Sequence, residues 1–430
     1  MARIRPVRGL RYDLPRLGDA GQLLAPPYDV VDEAYRARIA ARSPHNCIHV
    51  ILPQGEGDAK YAEGARQFAR LQAEALVHDR EPGFYVYHQT FTSEGREYTR
   101  KGFIGLVELT RFGEGPVLAH ERTLSGPKAD RLKLMRACDA HLELVFGMFS
   151  DPRRAWEDAA GDLGAPVLDA AYDGAHHRLF RVHDPARIAA LTEVLADRSI
   201  YIADGHHRYE TMCTFRDELL AAGRGETARW GLIYLSNLDD PGLVVLPTHR
   251  LVHSIASFDL KTTLAALAPF FAIDEVPLPT SGAEIRSGLA TTDGAAFGLA
   301  VPGTRTLHVL RLRADFDPAA AGLGHLHPAL QRLDVALLHE LVLERGLGIT
   351  REAQAQNTNL RYYKSTDEAL TVARGDSSSD VQLVCFMNAT PVSDVRAVCD
   401  SGEVMPQKST FFYPKIPTGL VFHDLRDAQP

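Results

Sequence analysis

The sequence has few cysteines, no long apolar run and no excess of basic residues, and each shortage excludes a class of protein. Five cysteines occur in 430 residues, scattered and without a CxxC pair, so neither a disulfide framework nor a structural zinc site is expected. The 47 basic residues are outnumbered by 55 acidic ones, with a formal net charge of −8, which argues against nucleic acid as the main partner. No stretch approaches the roughly 20 apolar residues of a membrane span, and no apolar segment of a secretory signal follows the basic N-terminus. We therefore expect a cytoplasmic protein with no membrane partner.

The rest of the composition, 45% hydrophobic and 24% charged, is typical of a globular chain large enough for two or three domains. Helical and strand patterns interleave along it, which predicts a mixed α/β fold. We predict a main α/β domain over 1–255 and a small α/β insertion over 256–318, where alanine, glycine, threonine and proline become frequent. A helix-rich α/β segment over 319–430 is predicted to complete the cleft. The sequence is compatible with a homodimer.

Three local patterns predict individual elements. The run "NCIHVILP" predicts a buried strand closed by Pro53, and "TSEGRE" between two alternating runs predicts a hairpin with Gly95 at its turn. The stretch "HPALQRLDVALLHELVLERGL" predicts one long amphipathic helix. Its inward-facing residues are expected to be Leu330, Leu333, Leu337, Leu341 and Val342.

The stretch "IADGHHRYET" predicts a strand, a turn and a helix, with the polar residues at the helix N-terminus. Backbone N–H groups and the positive end of the helix dipole favour an anion there. Gly205 allows a close approach of the backbone, and Arg208 supplies a fork of donors for phosphate oxygens. His206 and His207 can donate, accept or shuttle a proton, and Asp204 can orient a histidine, hold Mg²⁺ or accept a proton. The alternative is that Asp204 is only a helix cap and the histidines are solvated.

A second stretch, "YDGAHHRLFRV", has nearly the same letters but a different periodicity. Its Asp-Gly pair comes first, as a turn, and His177 and Leu179 then alternate with Arg178 and Phe180 on the two faces of a strand. No helix N-terminus follows, so we predict a solvent-facing strand without an anion site.

Two further segments carry residues suited to phosphate chemistry. In "HERTLSGPKADR", Lys128 or Arg131 could bind a phosphate and Glu121 a metal, or Lys128, Asp130 and Arg131 could form the solvated first turn of a helix. In "MPQKSTFFYPK", a basic residue and two hydroxyls precede an aromatic run, which suits an anion pocket or, equally, a packed surface loop. The residues concerned are Lys408, Ser409 and Thr410.

Three residues elsewhere are weaker candidates. Asp29 follows two rigid prolines and is expected to be either a helix N-cap or a positioned carboxylate. His249 and Arg250 of "VLPTHRLV" stand at the end of a strand and could line the same cleft.

Several of these segments together resemble a family catalogued as domain of unknown function 1015. The blocks are "APPYDV", "HERTLSGPKADRL", "YIADGHHRYET", "VLPTHRLV" and "MPQKSTFFYPKIPTGLVF", in the order of that family, and they extend over essentially the whole chain. The strand–"DGHHR"–helix segment also resembles the phosphate-binding turn of the ParB/sulfiredoxin superfamily, which implies a fold of that type for the N-terminal unit. This resemblance implies a nucleotide-phosphate site with Arg208 in the arginine position and His207 before it.

The residues and the resemblance lead to one preferred function and two alternatives. We predict a phosphotransferase that uses ATP or ADP and Mg²⁺ to modify a small hydroxylated metabolite; a serine-like amino acid is preferred only because the superfamily resemblance implies it. Gly205, His207, Arg208 and Lys128 would bind phosphates, Glu121 or Asp204 the metal, and His206 or Asp204 would activate the hydroxyl. The alternatives are a metal-dependent phosphohydrolase using Asp204, His206, His207 and His120, and a nucleotide-gated binding protein without turnover.

Overall fold

The computed structural model describes residues 1–123, 125–290, 294–376 and 380–426. The chain forms two compact units. Unit 1 comprises Met1–Ala119, Thr123–Val244 and Pro414–Pro430, and unit 2 comprises His120–Arg122 and Val245–Tyr413. The mixed α and β class predicted from the sequence is confirmed.

Unit 1 is built around a sheet with nine strands among the described residues. Its central strand, Trp230–Asn237, is buried along its whole length, as expected for a strand covered on both faces. In spatial order the strands are Val117–Leu118, Ile200–Asp204, Val145–Phe149, Trp230–Asn237, Arg96–Glu108, Phe84–Ser93, Ala175–Val182 and Leu168–Tyr172, with Ile4–Arg5 also paired to Arg96–Glu108. Two smaller pairs join Leu10–Tyr12 to Leu76–His78 and Ala140–His141 to His423–Asp424.

The predicted hairpin is confirmed, since Phe84–Ser93 and Arg96–Glu108 pair antiparallel up to Ser93 and Arg96. The two turn residues, Glu94 and Gly95, have φ angles of 54° and 76°. Positive φ at both positions gives a tight turn whose twist matches that of the strands.

Helices flank the sheet of unit 1, and one of them replaces a predicted strand. The run "NCIHVILP" forms the helix Ile48–Ile51, whose N-terminus is held by Asn46 Oδ1 accepting from the Ile48 N–H at 2.9 Å. In a short, mostly buried apolar run, periodicity cannot distinguish a helix from a strand. This explains why a strand was predicted here. The helices of this unit are Leu14–Leu17, Glu33–Ala40, Ile48–Ile51, Ala59–Glu74, Ser125–Cys138, Ala155–Ala160, Pro185–Val194 and His206–Ala221, with short 3₁₀ turns at Ala20–Gln22, Tyr28–Val30 and Glu226–Arg229.

Unit 2 contains an antiparallel sheet with six strands among its described residues. In spatial order they are Phe271–Pro277, Thr306–Leu312, Ala296–Ala300, Val381–Met387, His249–His253 and Leu360–Tyr363. Three of these strands come from the segment 256–318, and they share the sheet with strands from before and after it. Val244–Leu246 pairs separately with Phe411–Tyr413.

The predicted long helix of unit 2 is interrupted. Its inward-facing leucines and valine are buried as expected, but Leu333 has an extended backbone and Arg332 donates to Phe316 O at 2.7 Å. The helices of this unit are Leu260–Leu267, Gly282–Ala290, Pro328–Gln331, Asp334–Leu337, the π-helix Leu338–Gly346, Arg351–Gln356, Thr366–Ala373 and Val392–Asp400. Across the described parts of both units, no helix combines the length and apolar character needed to cross a bilayer.

Candidate functional site

The predicted strand–turn–helix is confirmed in unit 1. The site strand, Ile200–Asp204, leads through Gly205 into the site helix, His206–Ala221. Gly205 has φ 88° and ψ 31°, a left-handed conformation that favours glycine. A Cβ at this position would lie 2.9 Å from Arg208 Nε, so the missing side chain also makes room for the arginine. Asp204 does not cap the helix, because Gly205 occupies the cap position and no side chain caps it.

The Asp204 carboxylate is held instead between two cations. Arg208 Nη2 lies 2.5 Å from Oδ2, and Lys415 Nζ donates to Oδ1. Arg208 also donates through Nη1 to Leu144 O. Burial alone would raise the pKa of Asp204, but the charges of Lys415 and Arg208 outweigh it and hold this pKa well below its usual range. Asp204 is therefore an ionised anchor for the two cations.

A small recess with about 330 Å³ of empty space lies beside Arg208 and is lined also by Arg131 and Glu143. Arg131 Nη1 is 3.6 Å from Glu143 Oε2, and the Tyr28 N–H donates to Glu143 Oε1 at 3.3 Å. Burial raises the pKa of Glu143 against the opposing charges of Arg208 and Arg131. Arg131 was predicted at this site, whereas Glu143 was not.

Lys415 is positioned by two buried polar side chains from the central hairpin. Arg100, which is fully buried, donates to Pro414 O at 2.6 Å and to the side-chain oxygen of Gln89. Gln89 in turn donates to Lys415 O at 3.1 Å. Burial lowers the pKa of Arg100, and the charge of Asp204 is one of the smaller effects that oppose it. The backbone of Pro414 and Lys415 is thus fixed where the lysine ammonium reaches Asp204.

The other predicted residues of unit 1 lie at or near the start of the site helix. His206 is buried and His207 partly buried, both in the first helical turn. Lys128 lies in the first turn of Ser125–Cys138, as the alternative interpretation predicted, but this turn is not fully solvated, since Arg131 is buried. Lys128 Nζ is 2.9 Å from Glu210 Oε2. This ion pair links the helix to the site helix.

Asp29 is not a helix cap, so that interpretation is wrong. It lies inside the 3₁₀ turn Tyr28–Val30, whose cap position is Pro27. Burial alone would lower the pKa of Arg208, but the charges of Asp204 and Glu143 outweigh burial and raise this pKa. The negative charge of Asp29 makes a smaller contribution in the same direction.

The second "HHR" stretch forms the predicted strand, Ala175–Val182, but His177 is buried. His177 Nε2 is 3.0 Å from Tyr172 O, and Nδ1 is 2.6 Å from the Tyr87 hydroxyl. An N–H donated to the carbonyl leaves Nδ1 to accept from the tyrosine, so the ring is neutral and both nitrogens are satisfied. Burial lowers the pKa of His177 to about 4. This histidine serves the packing of the sheet.

We predict that His177 makes the stability of unit 1 depend on pH. Because its folded pKa lies below that of an unfolded histidine, its contribution is complete above pH 6.5 and is lost as the pH falls from 6.5 towards 4. The slope is about 1.4 kcal/mol per pH unit. Urea unfolding at several pH values can be followed by tryptophan fluorescence, since both tryptophans, Trp156 and Trp230, are in unit 1. His177→Gln should unfold with a shallower pH dependence, and His176→Gln, on the exposed face, should keep the wild-type slope; equal slopes in all three proteins would contradict the assignment.

The remaining predicted residues belong to unit 2. Glu121 forms a parallel bridge with Met405, whose N–H donates to His120 O at 2.8 Å. His120 Nε2 is 2.9 Å from Thr410 Oγ1. Ser409 is buried, and its hydroxyl donates to Pro406 O, while Lys408 is exposed with φ 57°. The segment around Glu121 and the segment Lys408–Thr410 are therefore neighbours in unit 2.

Metal binding was predicted at Glu121 and Asp204. No group of three or more histidine, cysteine, aspartate or glutamate side chains that could hold a metal occurs in the described part of the chain. At Asp204 both carboxylate oxygens are engaged by cations, so Mg²⁺ would have to displace Arg208 or Lys415. This donor set does not fit a resident magnesium ion.

Sequence reasoning missed three residues of the unit 1 site: Lys415, Glu143 and Arg100. Lys415 ends the block "FFYPK", where it is separated from Asp204 by 211 residues. Glu143 lies in an apolar run and Arg100 in an alternating strand, so neither position carries a local signal. The one local feature that could have indicated Lys415 is its position between two prolines, in "PKIP".

Several solved structures and one family model are similar to the chain. No curated protein matches the chain. Similar solved structures include a mutant free serine kinase in complex with AMP, at 13% identity and a TM-score of 0.34, covering 71% of this chain and 89% of that chain. A conserved hypothetical protein from Pyrococcus furiosus matches at 12% identity and a TM-score of 0.32, covering 71% and 92%. SbnI with a C-terminal truncation, from Staphylococcus aureus, matches at 10% identity and a TM-score of 0.34, covering 73% and 88%. At these identities the likeness concerns the fold alone.

A family model described as protein of unknown function, DUF1015, matches residues 4–336. This range includes four of the five sequence blocks and the whole strand–turn–helix of the site. The chain belongs to the DUF1015 family.

Proposed function

We propose that unit 1 binds the phosphates of a nucleotide at the start of the site helix and transfers a phosphoryl group to a small hydroxylated metabolite. The observation that supports this most strongly is the cluster of cations around Asp204. Arg208 and Lys415 contact its carboxylate, and the fully buried Arg100 holds the backbone of Lys415 in place. A helix N-terminus next to such a cluster favours an anion with several oxygens.

The arrangement assigns separate roles to the residues. The first turn of the site helix, with Gly205 and His207, would receive the phosphate, and Arg208 and Lys415 would stabilise the charge on the transferred group. Asp204 would hold both cations in place. His206 is the residue in this turn that can take the proton from the acceptor hydroxyl. ATP or ADP is the proposed phosphate donor. A serine-like amino acid is the preferred acceptor, and this preference comes only from the resemblance of the turn to the ParB/sulfiredoxin superfamily.

Phosphoryl transfer commonly uses a divalent ion to neutralise charge. The carboxylate of Asp204 is already neutralised by two cations and therefore offers no free oxygen to Mg²⁺. An ion that arrives together with the nucleotide would have its ligands on the phosphates.

We predict that Lys415→Met lowers nucleotide affinity by about 10- to 100-fold, because it removes a charge-assisted hydrogen bond. Arg208 remains to neutralise Asp204, so the fold should persist. ATP and ADP binding would be measured by calorimetry, and phosphorylated product by chromatography against a panel of hydroxylated amino acids and sugars.

Lys101→Met is the matched control, since Lys101 forms a similar partly buried ion pair with Glu157 at 3.0 Å elsewhere in unit 1. It should bind nucleotide like the wild type. Unchanged nucleotide affinity in Lys415→Met would refute the site. Release of inorganic phosphate without an acceptor would indicate hydrolysis instead, and binding without any product would indicate a nucleotide-gated protein.

A further inference from the structure

Unit 2 contains a larger cavity that the proposed function does not use. Its volume is about 470 Å³, and all the residues that line it belong to this unit. Ligand pockets for small molecules commonly measure about 300–1,000 Å³. The cavity is therefore large enough for a metabolite of substantial size.

Two sequence blocks that were predicted to bind an anion or a metal contribute to the wall of this cavity, and a third lies behind it. Arg122 comes from "HERT", and Met405, Pro406 and Gln407 come from the loop "MPQK". The two segments are joined by the hydrogen bond from Met405 N–H to His120 O at 2.8 Å. The third block, "VLPTHRLV", supplies Arg250, which lies behind one wall of the cavity.

Arg250 is a fully buried cation directly behind the lining residue His339. Its Nη2 is 3.2 Å from His339 Nε2 and donates to Lys408 O at 3.1 Å. No carboxylate pairs with Arg250 in the described part of the chain. A buried charge without a counter-ion is costly, and this one lies 3.2 Å from the imidazole of His339, which lines the cavity.

In the lining itself two arginines, Arg122 and Arg351, balance two glutamates, Glu340 and Glu403. Arg122 is exposed and makes no ion pair with any described residue. Arg351 is shared between the lining carboxylate of Glu340, at 2.7 Å, and Glu344, at 3.4 Å. Besides Glu340, Glu403 is the one acidic residue among those that line the cavity. Because Arg351 is held by two carboxylates, Arg122 is the guanidinium group of the wall that is available to a ligand.

The histidines add hydrogen-bonding groups, and leucine and methionine side chains add an apolar surface. His325 Nε2 accepts from Arg351 at 3.0 Å, so its Nδ1 carries the proton and donates to Gly322 O at 3.1 Å. Leu326, Leu330 and Met405 supply the apolar part of the wall. A ligand that fits this lining has a negatively charged group and an apolar body.

We propose that the unit 2 cavity binds a small organic anion, a carboxylate or a phosphate ester with an apolar body, with its charged group at Arg122 and its body against Leu330 and Met405. All the residues of this site belong to unit 2, and the proposal does not rest on the function proposed for unit 1.

The test uses the full chain and four probes: benzoate and phenyl phosphate, which have charge and body; inorganic phosphate, which has charge alone; and benzyl alcohol, which has the body alone. Binding is measured by calorimetry and by the shift of the thermal unfolding midpoint. We expect benzoate or phenyl phosphate to bind more tightly than inorganic phosphate or benzyl alcohol, and the preferred probe of the two identifies the charged group.

Two variants locate the binding. Arg122→Ala should weaken it at least 10-fold, and Ala355→Trp, which fills the cavity from an exposed position on its wall, should abolish it. Arg361→Gln is the control, because Arg361 lies on the strand Leu360–Tyr363 and pairs with Asp380 away from the cavity wall. Equal affinity in all three variants, or no binding of either organic anion to the wild type, would overturn the proposal.

Discussion

Asp204→Asn is expected to lower the free energy of unfolding of unit 1 by about 3–5 kcal/mol, the usual cost of removing one partner from a buried ion pair. Asparagine has nearly the same shape, so the packing should change little. The loss comes from leaving Arg208 and Lys415 in a largely buried position without the carboxylate that they share. Tryptophan fluorescence during urea unfolding reports this change, since Trp156 and Trp230 are both in unit 1.

A matched variant separates burial from charge in this experiment. Asp169→Asn removes the carboxylate that pairs with His176 at 2.6 Å, but both side chains of that pair are about half exposed. Exposed pairs contribute little, so this variant should unfold close to the wild type. The double variant Asp204→Asn/Lys415→Met should be more stable than Asp204→Asn alone, because it removes one of the two uncompensated cations. If Asp204→Asn were as stable as Asp169→Asn, the buried cluster would not have the role assigned to it.

Gly205→Ala should destabilise unit 1 by about 3–5 kcal/mol and also weaken nucleotide binding. Two costs add together. A Cβ in the left-handed conformation costs about 1–2 kcal/mol, and at Gly205 it would also push against Arg208 at 2.9 Å and disturb the Asp204 ion pair.

Gly223→Ala isolates the first of these costs. Gly223 follows the other end of the site helix with φ 74°, and a Cβ there would meet no atom within 4 Å. This variant should lose only about 1–2 kcal/mol and keep its nucleotide affinity. Calorimetric titration and urea unfolding of the two glycine variants side by side give the comparison, and equal losses would show that Arg208 is not displaced.

The half of the site that is local in sequence could be predicted, and the half that is distant could not. Adjacent residues encode the apolar strand before Asp204, the glycine and the following helix. The hydrophobic periodicity was therefore sufficient to predict this strand–turn–helix. Lys415 reaches the same carboxylate from 211 residues away, and no single sequence indicates such a contact. The flanking pattern also distinguished the two "HHR" stretches, although it placed His177 in solvent. Its burial depends on Tyr87 and Tyr172 of neighbouring strands.

The fold shows the same division between local and distant information. The hairpin at Gly95 follows from turn chemistry and alternation. The helix Ile48–Ile51 was mistaken for a strand, because three buried apolar residues around a partly buried histidine are too short a run to show a period. The long helix is interrupted near Leu333, where Arg332 donates to Phe316 O, and the amphipathic pattern contains no sign of this distant contact. The division into three domains, at 1–255, 256–318 and 319–430, stays a prediction. The structure itself forms two compact units.

The position of Lys415 in the chain has a consequence for biosynthesis. Unit 1 begins at Met1, and its last segment begins at Pro414, after the residues Val245–Tyr413 of unit 2. A ribosome therefore delivers Asp204 and Arg208 long before the lysine that shares their charge, and the nascent first unit contains an incomplete cluster while the second unit is being made. The cluster of the proposed nucleotide site is therefore complete only once Lys415 has been synthesised, and a chain that stops before this residue lacks one of its two cations.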